Sequence, residues 1–241
     1  MSRNWLTKGR CLLKWNVFDR KGKNIMDLNQ IERLGPMEIE KRSFEIITEE
    51  AGDAIPEDER AMIIKRVIHT SADFDYIKNL CFSEHVVPIA QEALAKGAWI
   101  VTDTKMAFSG INKKSLKAAG GEAFCFISDE DVAEEARRLG VTRASVCVDK
   151  AARLGHPLIY VVGNAPTALI RLYEKIMEGS FRPELVIGVP VGFVNVVQSK
   201  ELIMQTDIPY IVARGRKGGS NVAAAICNAL LYQLDGSRDK R

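Results

Sequence analysis

The sequence has only three histidines, and its five cysteines form no C-x-x-C pair. Isolated thiols among apolar neighbours, such as Cys125, are expected to pack as small hydrophobes, without a zinc site or disulfide framework. No apolar run approaches the ~18–20 residues that cross a bilayer, and no apolar core of the signal-peptide kind is present near the start. These absences point to a cytoplasmic protein without a membrane partner. The net charge of +3 is too small for a nucleic-acid binder, yet it leaves room for a local basic pocket facing an acidic ligand. No G-x-G-x-x-G follows the first strand signal of the main body, and G-x-x-x-x-G-K-[ST] is absent, which weighs against nucleotide- and S-adenosylmethionine-dependent chemistry.

What is present is an ordinary globular composition, 46% hydrophobic and 27% charged, over 241 residues, enough for one large α/β domain. Before Asp27 the chain carries Arg3, Lys8, Arg10, Lys14, Arg20, Lys21 and Lys23 against the single acid Asp19. Residues 1–28 therefore read as a basic N-terminal extension, poorly ordered or serving as a docking arm. The folded body is placed at 29–234 and a short tail at 235–241.

Within the body, helix and strand signals alternate. Helices are expected from Pro36 to Glu50, from Pro56 through Ile68-His69, and from Val86 to Lys96, where Gly97 stops the run. Two more follow Pro166 and span Val222 to Leu230, each with apolar residues on one face. Short, continuous apolar runs at 99–102, 123–127, 158–162, 185–189 and 210–213 read as strands buried on both faces. The pattern predicts a single three-layer, Rossmann-like α/β domain: a mainly parallel sheet with helices on both faces.

Parallel sheets bind ligands at the carboxyl ends of their strands. There the sequence places Asp103-Thr104-Lys105, Gly163-Asn164-Ala165-Pro166, Pro190-Val191-Gly192 and Arg214-Gly215-Arg216-Lys217-Gly218-Gly219-Ser220. In the last loop, three cations and three glycines precede a helix, so backbone N–H groups, the helix dipole and cationic side chains can converge on anions. Of the histidines, His156 precedes Pro157 and is expected extended at a strand entrance. His85 opens a helix. His69 ends one and alone is set among Arg66, Thr70, Ser71 and Asp73, where an imidazole is suited to proton transfer. Arg143 beside Thr142, and Arg42-Ser43 on the first helix, are unremarkable on composition alone.

Taken together, these segments resemble the precorrin-8X methylmutase family. The matching stretches are Arg42-Ser43-Phe44, Arg66-Val67-Ile68-His69-Thr70 with Asp73-Phe74, and Asp103-Thr104-Lys105-Met106 leading to Gly110-Ile111. They continue with Val162 to Leu169, Ile187 to Val194, Ser199-Lys200-Glu201 and Arg214 to Ser220. They follow the family's order from about residue 35 to 231, leaving the N-terminal stretch outside. The resemblance implies an isomerase of cobalamin biosynthesis that moves the C11 methyl of precorrin-8, or of cobalt-precorrin-8, to C12, giving hydrogenobyrinic or cobyrinic acid. It implies His69 as proton donor and acceptor, and substrate contacts from Ser43 and Arg66. Lys105, Arg143, Asn164 and Arg214 are further candidates for the substrate's carboxylates. It implies a homodimer with sites near the subunit interface and no cofactor, any cobalt arriving inside the substrate. A non-catalytic tetrapyrrole carrier on the same fold is the alternative.

Overall fold

The strands follow from the apolar runs, since residues buried on both faces leave a chain segment no solvated side. The computed structural model describes residues 17–18, 24–26 and 31–235. Within residues 1–42, β1 (Val17–Phe18) pairs antiparallel with β2 (Asn24–Met26). The rest of the expected 1–28 extension, and the tail after Asp235, lie outside the described residues.

From Ser43 onward, a six-stranded sheet forms from β3 (Leu80–Phe82), β4 (Trp99–Thr102), β5 (Ala123–Phe124), β6 (Leu158–Val162), β7 (Leu185–Gly188) and β8 (Tyr210–Ala213). Its order is β3-β8-β7-β6-β4-β5. All neighbours are parallel except β3 and β8, paired antiparallel through Cys81 and Val212. Within this sheet β3 is the strand the pattern did not announce, because three residues are too few to display a period; β1 and β2 were not announced either. The expected strand at 123–127 ends at Phe124, where the chain turns and the Asp129 N–H reaches the Phe126 carbonyl.

The helices are α1 (Pro36–Ala51), α2 (Arg60–Ser71), α3 (Tyr76–Asn79), α4 (Val86–Ala95), α5 (Lys105–Gly110), α6 (Lys113–Ala118), α7 (Glu130–Leu139), α8 (Arg143–Ala152), α9 (Pro166–Met177), α10 (Val196–Ile203) and α11 (Ser220–Asp235). α2 begins four residues later than Pro56 suggested. Asp58 receives the Arg60 N–H at 2.9 Å, so the acids lie on the approach to the helix and not in its first turn.

Alternation along the strands divides the core. Ile100, Ile159, Val161, Ile187 and Ile211 face α2, α4, α5 and α11. Val101, Tyr160, Val162, Val186 and Val212 face α7, α8, α9 and α10. Cys147 and Cys227 sit within these layers, their thiols pushed up to about 12 by burial. Cys125, expected in the core, is only half-buried.

Candidate active site at the carboxyl edge of the sheet

The chain leaves β4 towards β5 on one side, whereas β6, the other neighbour of β4, leads towards β7 and β8. This reversal opens a crevice beyond the carboxyl ends of β4 and β6, the place where open α/β sheets receive ligands. Asp103 ends β4 there, 1% exposed. Its carboxylate accepts the N–H groups of Gly163, Asn164 and Ala165 at 2.8, 2.9 and 2.7 Å. Burial pushes the carboxyl pKa up, while the three N–H groups oppose that shift. Gly163 has to be glycine: a Cβ would lie 2.8 Å from the Ser220 Cα at the start of α11.

Beside Asp103 lies a cleft of about 490 Å³, lined by Thr104, Lys105, Arg143, Asn164 and Thr167 among others. Lys105, Arg143 and Asn164, far apart in sequence, are thus brought together. Two helix starts flank them. Thr142 caps α8 by accepting the Ser145 N–H, and its hydroxyl meets that of Thr167, in the first turn of α9, at 2.8 Å. Two positive helix ends and two cations favour an anionic group in this cleft.

The histidine lies on the other layer. α2 buries Ile63, Ile64, Val67 and Ile68, which leaves His69 exposed at its end. The helix is closed firmly behind it: Ala72 takes a left-handed conformation and returns its N–H to Ile68 at 2.7 Å, while the Ser71 hydroxyl donates to the Val67 carbonyl. The imidazole packs edge-on against Phe44, ring centres 5.5 Å apart. Arg66, three residues earlier, lies 5.2 Å from the Phe44 ring and 4.6 Å from Tyr232. Arg66 and His69 thus gather around Phe44, and Ser43 is the residue before it on α1. The first turn of α11 reaches both regions, through Ser220 to the Thr104 hydroxyl at 2.8 Å and through Asn221 to the Thr70 carbonyl at 3.5 Å.

The loop after β8 carries its cations differently from the simple convergence expected. Arg214 forms a two-pronged pair with Glu201 at 2.8 and 3.0 Å. Lys217 bonds Asp73 and Asp75, both at 2.6 Å. That contact lowers the Asp73 pKa and raises the Lys217 pKa, so on the acid side it weakens only as the pH falls through a range below the usual carboxylate one. Arg216 has no acidic partner within 4 Å among the described residues, and its guanidinium lies 5.4 Å from the exposed Phe193 ring. The acids adjoining His69 were in view in the sequence, but nothing in their spacing announced a partner 142 or 144 residues away.

The other two histidines have ordinary roles. The His156 ring stacks on Trp99 at 3.9 Å, and His85 lies on the surface beside Glu84.

The sequence profile of the precorrin-8X methylmutase family matches residues 38–233. The chain belongs to that family. A cobalt-precorrin-8 methylmutase of Salmonella typhimurium is 47% identical over 205 residues, covering 83% of this chain and 96% of that protein. The one from Priestia megaterium is 44% identical over 200 residues, 83% and 89% respectively. A crystal structure of a precorrin-8X methylmutase from Thermus thermophilus superposes with a TM-score of 0.76 at 36% identity, over 83% of this chain and 98% of that one. The enzyme is accordingly an isomerase that moves a methyl group within one molecule. The six-stranded α/β architecture is the family's own.

Proposed function

We propose that the enzyme acts in the cytoplasm, as a homodimer, on precorrin-8 or cobalt-precorrin-8, moving the methyl group from C11 to C12 with His69 as the acid and base. One observation carries the reading: an exposed imidazole stands on a rigidly closed helix end, and Lys217 fastens the following residues to the loop that carries Arg216. The imidazolium gives a proton to the conjugated ring, which makes the system around C11 and C12 more electrophilic. The C11–CH3 bond breaks as the C12–CH3 bond forms, and the imidazole then takes the proton back. Such help is typically worth about 10²–10⁴-fold.

The acetate and propionate carboxylates of the macrocycle would be met by Arg66, Lys105, Arg143 and Arg216, and Asn164 and Ser43 would add polar contacts. These remote contacts hold a flexible ring in a reactive pose. Arg214 would act on the substrate only on leaving Glu201. No resident cofactor is required, and cobalt, where present, travels inside the substrate. The ring is wider than the cleft, and Met106, Val191, Phe193 and Val194 are exposed on the loops of this edge. They supply apolar surface for the ring and for a second subunit.

The test is spectroscopic conversion of both substrate forms by the pure protein, with His69→Ala alongside. Conversion by the wild type and its near-loss in a folded His69→Ala variant are expected. Conversion at an undiminished rate by that variant would remove His69 from the mechanism.

A further inference from the structure

Lys200 is placed by its helix where a charge is costly. On α10, Val196 and Ile203 are buried, and position 200, one turn after Val196, lies on the same buried side. The residue is 0% exposed. Among the described residues no carboxylate lies within 4 Å of its ammonium. Instead Nζ donates to two backbone carbonyls of the loop after β8, Gly215 and Lys217, each at 2.8 Å. Burial depresses its pKa to about 8. A buried ion supported only by carbonyls is weak support for stability, since an apolar side chain of similar volume often serves as well. The position of this charge calls for another reason.

The loop geometry supplies one. The intervening carbonyl, that of Arg216, accepts the Gly192 N–H at 3.1 Å. Three successive carbonyls, of residues 215, 216 and 217, are therefore all engaged by the protein. In a planar trans peptide the N–H points opposite to the C=O. The Gly215 and Lys217 carbonyls both point at Lys200, so the N–H groups of Arg216 and Gly218 are turned away from it, and neither has an acceptor among the described residues. Gly219 then returns its N–H to Val189 at 2.8 Å. A side chain at Gly218 would collide with the same Val189 carbonyl, so the backbone here packs closely against the chain leaving β7. The result is a pair of N–H groups directed away from a buried positive charge, the electrostatic arrangement that attracts an anion.

We propose that Lys200 is a positioning residue, whose buried ammonium orients the Arg216 and Gly218 amides to receive a carboxylate of the substrate. This rests on the reading of the carboxyl edge as the substrate site. Lys200 touches no reacting atom; it acts through the loop.

The test compares affinities for cobyrinic acid and for the same macrocycle with its carboxylates converted to amides. The wild type is expected to prefer the acid by about tenfold or more, the worth of one charge-assisted hydrogen bond. Lys200→Met is expected to cut that preference by about tenfold, with KM rising about tenfold and kcat per folded site changing far less. A destabilised but otherwise competent site would instead lower the active fraction and leave KM alone. If the wild type binds both ligands equally, the reading of this edge as a carboxylate site fails. If the wild type discriminates and Lys200→Met discriminates just as strongly, the role of Lys200 alone is overturned. Should Lys200→Met not fold, the wild type still decides the matter. The 15N–1H resonances of Arg216 and Gly218 should move with cobyrinic acid and stay put with the amidated ring; amides that ignore the acid refute the proposal.

Discussion

His69 is fixed through its backbone and open through its side chain, which is what a proton carrier requires. The left-handed Ala72 and the Ser71 hydroxyl close the helix without using the imidazole. Replacing His69 by Ala should therefore leave the thermal midpoint within a few degrees and lower turnover by about two to four orders of magnitude. His85→Ala and His156→Ala should cost far less turnover, and His156→Ala should instead lower stability through the lost stack on Trp99. Arg216→Ala should weaken binding of the carboxylate-rich product and reduce its salt dependence, read by titration at low and high ionic strength. Arg214→Gln with Lys217→Met is a less direct probe, because it also leaves Glu201, Asp73 and Asp75 without their cations. At this scale the sequence showed which residue types were gathered, His69 above all, but not how their charges pair. Lys217 meets acids more than 140 positions away, and no local period encodes such a meeting.

Among the elements, those with capping residues or long apolar faces were legible. Pro166 opens α9, and the apolar runs at 99–102, 158–162 and 210–213 became β4, β6 and β8 at those bounds. Among the strands, what escaped was short: β1, β2 and β3, with two or three residues each, and the truncated β5, with two. The joint between β4 and β6 depends on Asp103. Asp103→Ala would leave one buried and two partly buried N–H groups without their acceptor and should destabilise the fold by about 2 kcal/mol or more, measured by denaturant unfolding. Lys200 makes a prediction of opposite character. Its pKa lies near 8 when folded and near the usual 10.4 when unfolded. Between those values the unfolded chain holds more protons, so stability rises with pH. The stability advantage of wild type over Lys200→Met should thus grow by up to about 3 kcal/mol from pH 7.5 to 10.5. A constant difference across that range would mean that the ammonium is not buried as a charge.

For the whole molecule, a small net charge says little about a ligand, since Lys105, Arg143 and Arg216 are concentrated on one edge and the balance is made elsewhere. Sedimentation at working concentration should show a dimer, and a fully active monomer would exclude a shared wall to the site. The sheet constrains what such a dimer is. Its two outermost strands, β3 and β5, have three and two residues. A border that short offers few unpaired peptide groups for another chain to zip onto. A dimer of such a sheet would not form as one continuous ribbon of strands; it would meet through side chains, so replacing exposed residues would tune association without disturbing the backbone ladder.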